Sequence, residues 1–489
     1  MNRFFSDRRE RAASGTTTTT TASSVFGAAH KRLSNGLSIA MGLGGSPTSP
    51  SPSPKTQVKQ HDSPTGVLSL STASPVKASR YHTQPVQTRP QAIIESIATG
   101  VPEHSRTQTD VAAQVAELFG PDSPHAQRIP RLYAKTRIDK RHRAVDPLDA
   151  ATFDRAMPIR QRMDLFLEHA APLAIDVASR AVEDAHVNAA NDIGLLVMVT
   201  STGFIAPGVD VALMKALGLD PSVARVVVNF MGCAAAMNGI RTAADYVLAR
   251  YGQQQQTHKK TKALVVCVEL SSVNGVFKET LNDVIISSLF GDGCAALVIG
   301  ARGEGDGLAP GEIALRGSFS RLVGDTEDGI TLGVNADGIT CELSPRLPEY
   351  IRSAVGPAVE GVLGEYSLVK DDVHLWAIHP GGPKIIEESL ASLGLKDEVA
   401  ALSWDMLARY GNMLSVSLPF VLQRMAAEAK ALRPVSTGVA FSFGPGITVE
   451  GVVFDIAGAS PSGSEHRLAF DAGMLADFSA LGVSGLHLG

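Results

Sequence analysis

From about Gln91 onward, short apolar runs alternate with amphipathic stretches. The runs are rich in β-branched residues, as is typical of buried strands, and they span Asp192 to Thr200, Ala263 to Glu269 and Ala295 to Gly300. Apolar residues elsewhere recur at spacings of three and four, which predicts helices over Leu165 to Val187, Ala234 to Tyr251 and Ile385 to Leu393. This alternation predicts an α/β fold with largely buried strands.

A weak internal repeat divides this region. In the first half a strand leads to Ser201, Cys233 stands at the head of an alanine-rich helix, and a Phe-Gly-Asp-Gly turn at Phe290 leads into another strand. In the second half, a strand leads to His379, Asn412 heads a helix, and Phe443-Gly444-Pro445-Gly446 precedes a strand. We expect halves of residues 89–310 and 311–458 that place the cysteine, histidine and asparagine in one central crevice. Chance similarity between glycine-rich segments is the alternative.

The two ends of the chain differ in composition from this body. Residues 1–80 hold 25 Ser or Thr and carry ten Lys or Arg against three acids, so a net charge of -5 divides into +7 here and -12 beyond. Such a segment buries too little apolar surface to offset chain entropy, and we expect a disordered leader over residues 1–88. It is either a plain tail of a cytoplasmic protein or a transit segment for an organelle such as a plastid. Residues 459–489 are expected to form a C-terminal extension.

Charge and cysteine usage exclude several classes of protein. The whole chain is 489 residues long with a net charge of -5, so no basic footprint for nucleic acid is indicated. No apolar run reaches the roughly 18 residues of a membrane span. The four cysteines show no Cys-x-x-Cys pairing, which argues against a zinc site or a disulfide scaffold and favours a reducing compartment.

Three residues are candidates for catalysis. Cys233 follows an apolar strand and precedes three alanines, so a helix N-terminus is expected to favour its thiolate. His379 ends a strand before Pro380-Gly381-Gly382, a turn of small residues that lets a substrate approach the backbone. Asn412 follows Gly411 at a position typical of an N-cap. A buried structural cysteine, a packed histidine and a capping asparagine are the corresponding structural alternatives.

Together, these groups suit one reaction. The thiolate attacks a thioester carbonyl, while imidazole and amide donate hydrogen bonds to an enolate or oxyanion. The order Cys, His, Asn also occurs in papain-like proteases, and the separation of 146 positions between Cys233 and His379 fits them. The surroundings of the cysteine, NFMGCAAAM, differ from theirs.

Five motifs in order carry a family resemblance: VNFMGCAAAMNGIR, SSLFGDGCAALVIG, WAIHPGGPKIIEES, RYGNMLSVS and FSFGPGITVEGVVF. From about Ala92 to Ile456 the chain resembles the chalcone synthase superfamily, the type III polyketide synthases, in the style of bacterial, fungal or algal alkylpyrone, alkylresorcinol or phloroglucinol synthases. The resemblance implies a thiolase-like fold of two duplicated halves in αβαβα layers, a homodimer, malonyl-CoA and acyl-CoA as substrates, and no metal or redox cofactor. It further implies a Cys233 thiolate paired with His379.

The resemblance also assigns residues around the reacting groups. Phe290 matches a gate between the CoA tunnel and the inner cavity. Further assignments cover the cavity (Ser201, Ser271, Asn274, Cys341, Leu414), CoA binding (Arg128, Arg131, Lys135, Gly381, Gly382) and a cyclisation loop (Phe443, Gly444, Pro445, Gly446). The three cations are spaced to share one helical face, although Pro130 puts Arg128 just before that helix. Ser442 replaces the first glycine of the GFGPG motif.

Departures from the plant pattern bear on the product. Cys341 stands where plant enzymes have a second gating phenylalanine, and the lost bulk predicts room for an aliphatic chain. We therefore expect a long-chain fatty acyl-CoA starter, several malonyl extensions and closure to an alkylpyrone or alkylresorcinol. The alternatives are phloroglucinol from malonyl-CoA alone, a single-round ketoacyl synthase, and a non-catalytic acyl-binding scaffold.

Overall fold

The computed structural model describes residues 90–257, 260–275, 277, 280–303, 306–336, 338–428 and 435–458. The expected leader and C-terminal extension lie outside these residues, so the compartment stays a prediction. No helix in the described ranges is long and apolar enough to cross a membrane.

Strands and helices alternate along most of the chain. The strands are β1 (Gln91–Gly100), β2 (Ser105–Thr107), β3 (Lys140–His142), β4 (Ile193–Thr200), β5 (Ala224–Asn229), β6 (Lys262–Leu270), β7 (Asp292–Arg302), β8 (Ile313–Leu322), β9 (Ile330–Asn335), β10 (Gly338–Leu343), β11 (Leu375–Ile378), β12 (Val435–Gly444) and β13 (Thr448–Ala457). The helices are α1 (Gln108–Phe119), α2 (Ile129–Ala134), α3 (Ile159–Asp184), α4 (Ala189–Asp192), α5 (Val209–Ala216), α6 (Ala235–Thr257), α7 (Leu281–Leu289), α8 (Leu347–Glu365), α9 (Pro383–Leu393), α10 (Ala401–Tyr410) and α11 (Ser417–Glu428). Every strand and helix predicted from periodicity is present, with ends shifted by a few residues.

Nine strands form one mixed sheet in the order β11-β12-β13-β8-β1-β7-β6-β4-β5. In the first half β4 and β6 are parallel, while β7 is antiparallel to both β6 and β1. The second half repeats this arrangement with β11, β12, β13 and β8. The halves join where β1 pairs with β8. The expected duplication is therefore confirmed, and only β5 lacks a counterpart in the described second half.

Helices cover both faces of these strands. In β6, Val265 and Cys267 pack with α6 and α11 in a central layer, whereas Val266 and Val268 pack with α3 on the outer face. In the second half, Val439 and Phe441 of β12 turn to α8 and α9. Because alternate side chains of a strand point to opposite faces, strands buried on both faces read as continuous apolar runs. This gives the αβαβα layering of a thiolase-like fold.

Candidate active site

A cavity of about 1000 Å³, here called the catalytic cavity, lies where strand ends of the two halves meet. Cys233, His379 and Asn412 all line it. Cys233 follows the end of β5, and His379 follows the end of β11. The carboxyl ends of parallel strands gather at one edge of a sheet, which is the general reason for this convergence.

The backbone at Cys233 is held by both halves. Phe230 and Gly232 have φ of 58° and 56°, so the chain turns sharply from β5 into a short 3-10 helix that carries the cysteine. The Ser201 hydroxyl accepts from Gly232 N at 3.0 Å. The Ser442 hydroxyl donates to the Cys233 carbonyl oxygen at 2.8 Å. Ser442, which departs from the family glycine, thus has a structural role that motif matching missed.

The protonation of Cys233 differs from the expectation. A helix N-terminus was expected to lower the pKa of the thiol, but burial raises it, and the nearby Cys341 and Glu269 raise it further. The reason is that α6 begins only at Ala235, while the sulfur is enclosed by the cavity walls. The resting group is therefore a neutral thiol unless a neighbour takes its proton.

His379 is buried, and neither of its ring nitrogens has a hydrogen-bond partner among the described residues. Burial lowers the pKa of its imidazole to about 3. A Cβ at Gly381 would lie 2.9 Å from the ring, so a glycine is required there. Burial opposes a charge on either group alone. Moving the proton from Cys233 to His379 creates both charges together, and their attraction offsets part of that cost.

Asn412 is fixed by its backbone and by its amide. Asn412 N donates to Leu289 O, and Gly291 N donates to Asn412 O, both at 2.9 Å. The side-chain oxygen accepts from Leu414 N at 2.8 Å, which orients the amide nitrogen toward Gly381 O at 3.2 Å and Cys233 Sγ at 3.9 Å. Asn412 lies two residues before a 3-10 helix over Leu414–Val416 that leads into α11, and its side chain accepts from the first backbone N–H of that helix. Its backbone also forms a β-bridge with Phe290.

A second, smaller cavity of about 100 Å³, the side cavity, adjoins the first. The two share four lining residues: Phe290, Leu332, Cys341 and Leu414. Three of these are the expected gate and cavity residues, and Leu332 was not anticipated. The remaining expected cavity residues, Ser201, Ser271 and Asn274, line the side cavity.

Two family models together match most of the chain. The model of the N-terminal domain of chalcone and stilbene synthases matches residues 79–303, and that of the C-terminal domain matches residues 314–457. This chain belongs to the chalcone and stilbene synthase family. The resemblance inferred from its motifs is confirmed, and the protease alternative is excluded.

Several relatives of this type III polyketide synthase are similar over most of their length. The alpha-pyrone synthesis polyketide synthase-like Pks18 of Mycobacterium tuberculosis is 60% identical over 369 residues, which cover 75% of this chain and 91% of that protein. The structure of PKS-I from the brown alga Ectocarpus siliculosus is 40% identical with a TM-score of 0.69, covering 76% of this chain and 100% of that one. The 1,3,6,8-tetrahydroxynaphthalene synthase of Streptomyces coelicolor is 27% identical with a TM-score of 0.66, covering 76% and 99%. The chain is thus a condensing acyltransferase.

The expected CoA-binding cations of this type III polyketide synthase lie along α2, with Arg128 at its N-cap and Lys135 at its C-cap. Arg128, Arg131 and Lys135 are all exposed, and of the three Lys135 lines the catalytic cavity. Arg128 and Lys135 are about 10 Å apart along the helix axis. Arg137 and Lys384 also line the cavity, and both pair with Glu387. Gly381 and Gly382 lie on the same wall.

The expected cyclisation loop spans the end of β12 and the turn into β13. Phe443 is buried and lines the catalytic cavity. Pro445 lies against Gly232, where an added Cβ would meet its ring at 3.3 Å. Within the described part of the enzyme, no group of three or more His, Cys, Asp or Glu side chains is placed to hold a metal ion.

Glu269 is a buried carboxyl group that the motifs did not indicate. It accepts from Ser201 N at 2.9 and 3.0 Å, from the Thr202 hydroxyl at 2.7 Å and from the Ser415 hydroxyl at 2.6 Å. It therefore ties the turn that supports Cys233 to the segment that carries Asn412. A charged residue within the apolar run of β6 was the available signal. Burial raises the pKa of Glu269 to about 7.

This pKa predicts a dependence of stability on pH. Because the folded pKa is raised above the unfolded value of 4.5, folding favours the protonated form, and the free energy of unfolding falls as pH rises toward about 7. Raising the pH from 5.5 to 8.5 should therefore lower the free energy of unfolding of the parent enzyme by about 2 kcal/mol more than that of Glu269→Gln. Denaturant unfolding of both proteins at the two pH values measures the difference. Equal changes in the two proteins would contradict the assignment.

Arg141 is a second residue that the motifs did not indicate. Its buried guanidinium donates to Ser287 O at 2.6 Å and Phe290 O at 2.7 Å, so it caps the carbonyl end of α7. A Cβ at Gly411 would lie 2.7 Å from Leu289 O and 2.8 Å from Arg141 Cδ. Arg141 thus packs against both segments of the Phe290–Asn412 bridge and helps to fix the positions of these two residues relative to each other.

Proposed function

We propose that the enzyme loads a long-chain fatty acyl group from acyl-CoA onto Cys233, extends it with malonyl-CoA and releases an alkylpyrone. The observation that carries this proposal is the placement of Cys233, His379 and Asn412 on a cavity of about 1000 Å³ whose lining includes seven leucines, three isoleucines and three prolines. An apolar enclosure of this volume suits an aliphatic chain. The name of the mycobacterial relative supports a pyrone rather than a resorcinol ring.

In the loading step, the imidazole of His379 takes the proton of the Cys233 thiol as the sulfur attacks the acyl-CoA carbonyl. The carbon–sulfur bond to CoA then breaks, and the CoA thiolate leaves with that proton. The neutral imidazole required here agrees with the lowered pKa of His379. Cys233 is left as a thioester.

In the extension step, malonyl-CoA loses its carboxylate as CO2. The electron pair of the broken carbon–carbon bond moves to the thioester oxygen, which accepts hydrogen bonds from a His379 ring N–H and the Asn412 amide nitrogen. The enolate carbon attacks the Cys233-bound carbonyl, and the Cys233 thiolate leaves. The β-ketoacyl-CoA then returns its acyl chain to Cys233 with release of CoA, and a second extension gives the chain that can close to a pyrone. The fixed amide of Asn412 suits this role because it donates without adding a charge.

Pyrone closure ends the sequence. An enol oxygen of the extended chain attacks the thioester carbonyl, CoA leaves as a thiol, and a six-membered lactone forms. We propose that the cyclisation loop forms the cavity wall against which the extended chain lies during ring closure, because Phe443 and the Gly232–Pro445 contact lie beside Cys233.

Binding of CoA is assigned to the basic rim of the catalytic cavity. Lys135, Arg137 and Lys384 line this rim, and cations there suit the phosphates of CoA. The ion pairs with Glu387 leave both partner cations more than half exposed, so a polyanion can contact them. Arg128 and Arg131 are proposed to attract the phosphates of CoA from positions outside the catalytic cavity.

The family homodimer is proposed to form through β5. This strand is an edge of the nine-stranded sheet, and Val227 is 51% exposed on it. Phe204, 62% exposed, packs against Phe230 with ring centroids 5.7 Å apart. An exposed apolar edge strand requires a partner to avoid nonspecific pairing, and a second copy provides one.

The test combines the parent enzyme with Cys341→Phe. Mass spectrometry of products from malonyl-CoA and acyl-CoAs of graded length should show that the parent prefers long chains. A phenylalanine at 341 would fill the passage between the two cavities, so product from long chains should fall at least about tenfold relative to short ones. Cys341→Ser, which keeps the size, should behave as the parent. Phloroglucinol alone, a linear single-extension product, or no preference for long chains would overturn the proposal.

A further inference from the structure

Strand β10 forms one wall of both cavities, and within the described ranges it pairs with a strand on one side only. It pairs with β9 in a two-stranded sheet. Alternate residues of a strand direct their N–H and C=O groups to opposite edges, so the outer edge of β10 needs other partners. The residues whose backbone groups point to that edge are Ile339, Cys341 and Leu343.

Two asparagine side chains occupy the place of a neighbouring strand. The Asn282 amide donates to Cys341 O at 3.0 Å and accepts from Leu343 N at 3.3 Å, as a peptide group of an adjacent strand would. Asn274 accepts from Ile339 N at 3.1 Å and donates to Thr202 O at 2.8 Å. Asn274 was expected as a cavity residue, but its polar atoms are used by the backbone.

All three residues held in this way line one or both cavities. Ile339 and Cys341 line the side cavity, and Cys341 and Leu343 line the catalytic cavity. The backbone position of β10 therefore sets how far the Cys341 side chain reaches into the passage. Asn282 lies in the first turn of α7, and the other end of the same helix holds Phe290. The positions of Cys341 and Phe290, on the two sides of the passage, thus both depend on α7.

We propose that Asn282 is a positioning residue for acyl-chain selection: by holding β10 at Cys341 and Leu343, it fixes the width of the passage that admits an aliphatic starter. The inference rests on the proposed function, because it needs an acyl-primed reaction. Asn282 lines the catalytic cavity, but its side-chain hydrogen bonds go to the backbone of β10, through which it acts. Malonyl-CoA decarboxylation, which needs only His379 and Asn412, does not depend on it.

Three variants test this role. Asn282→Ala removes both hydrogen bonds. Asn282→Asp keeps the acceptor for Leu343 N but sets a carboxylate oxygen against Cys341 O, so it should behave like the alanine variant. Asn335→Ala is the matched control, because Asn335 lies on the same hairpin and bonds the Thr340 hydroxyl rather than the outer edge of β10.

The measurements are kcat and KM for acyl-CoAs of graded length, together with the rate of CO2 release from malonyl-CoA alone. In Asn282→Ala and Asn282→Asp, the ratio of kcat/KM for the best acyl chain to that for a chain four carbons shorter should fall at least about fivefold, mainly through changes in KM. The rate of CO2 release should stay within about twofold of that of the parent enzyme. Asn335→Ala should keep the parent preference.

An unchanged preference in a folded Asn282 variant overturns the inference alone. An equal fall in CO2 release and in condensation at every chain length also overturns it, since that is the signature of a general structural role. A parent enzyme that uses no acyl-CoA overturns the proposed function, and the inference with it, before any variant is compared.

Discussion

Replacing Cys233 by alanine is expected to abolish acyl-primed products, with a fall of at least about 1000-fold, while malonyl-CoA decarboxylation persists. The sulfur is the only group on the cavity wall assigned to carry the growing chain, so without it there is no enzyme-bound thioester for the enolate to attack. The enolate itself still forms, because His379 and the Asn412 amide keep their places: the amide is oriented by Leu414 N rather than by the sulfur. Product mass and release of labelled CO2 measure the two steps separately.

Cys294→Ala is the control for this experiment. Cys294 is also a buried cysteine, but it lies within β7 and lines neither cavity. This variant should keep both steps. Acyl-primed product from Cys233→Ala, or a joint loss of condensation and decarboxylation, would show that the assignment of the nucleophile is wrong.

The layout of the site could be predicted because it follows from local pattern. Continuous apolar runs, buried on both faces, mark β4, β6 and β7, and each is followed by a small polar or glycine-rich turn. Parallel strands deliver such turns to one edge of the sheet. Cys233 and His379, which follow strands in different halves, could therefore be assigned to one crevice from the sequence, and both line the catalytic cavity.

The charge state of the site could not be predicted in the same way. A local argument, the start of a helix beside Cys233, favours the thiolate, whereas the enclosure of the sulfur by distant segments raises the pKa of its thiol. The hydrogen bonds of Glu269 to Ser201 and Ser415 span 68 and 146 positions. No periodicity within one element reports such contacts. The same holds for Asn282, whose partners on β10 lie 59 and 61 positions away.

Replacing Asn412 by alanine is expected to slow malonyl-CoA decarboxylation by about 100- to 1000-fold, the usual effect of removing one oxyanion donor. Asn412→Asp should be at least as slow although it keeps the shape of the side chain. A carboxylate has no N–H for the enolate oxygen. It also sets a negative charge beside that oxygen and beside Gly381 O, to which the amide nitrogen of the parent donates at 3.2 Å. The bonds to Leu289 O and Gly291 N are made by the Asn412 backbone, so the bridge to Phe290 persists in both variants.

Loading of Cys233 separates this role from a general loss of structure. The Asn412 amide acts on the enolate, whereas transfer of the acyl group to sulfur depends mainly on His379, so the mass of the acylated enzyme should still appear with both variants. Asn188→Ala, which removes an exposed amide that caps α4, should leave both steps unchanged. Decarboxylation within about threefold of the parent in Asn412→Ala would mean that His379 alone holds the enolate. Equal loss of loading and decarboxylation would instead place Asn412 among the residues that support Cys233, since its amide lies 3.9 Å from that sulfur.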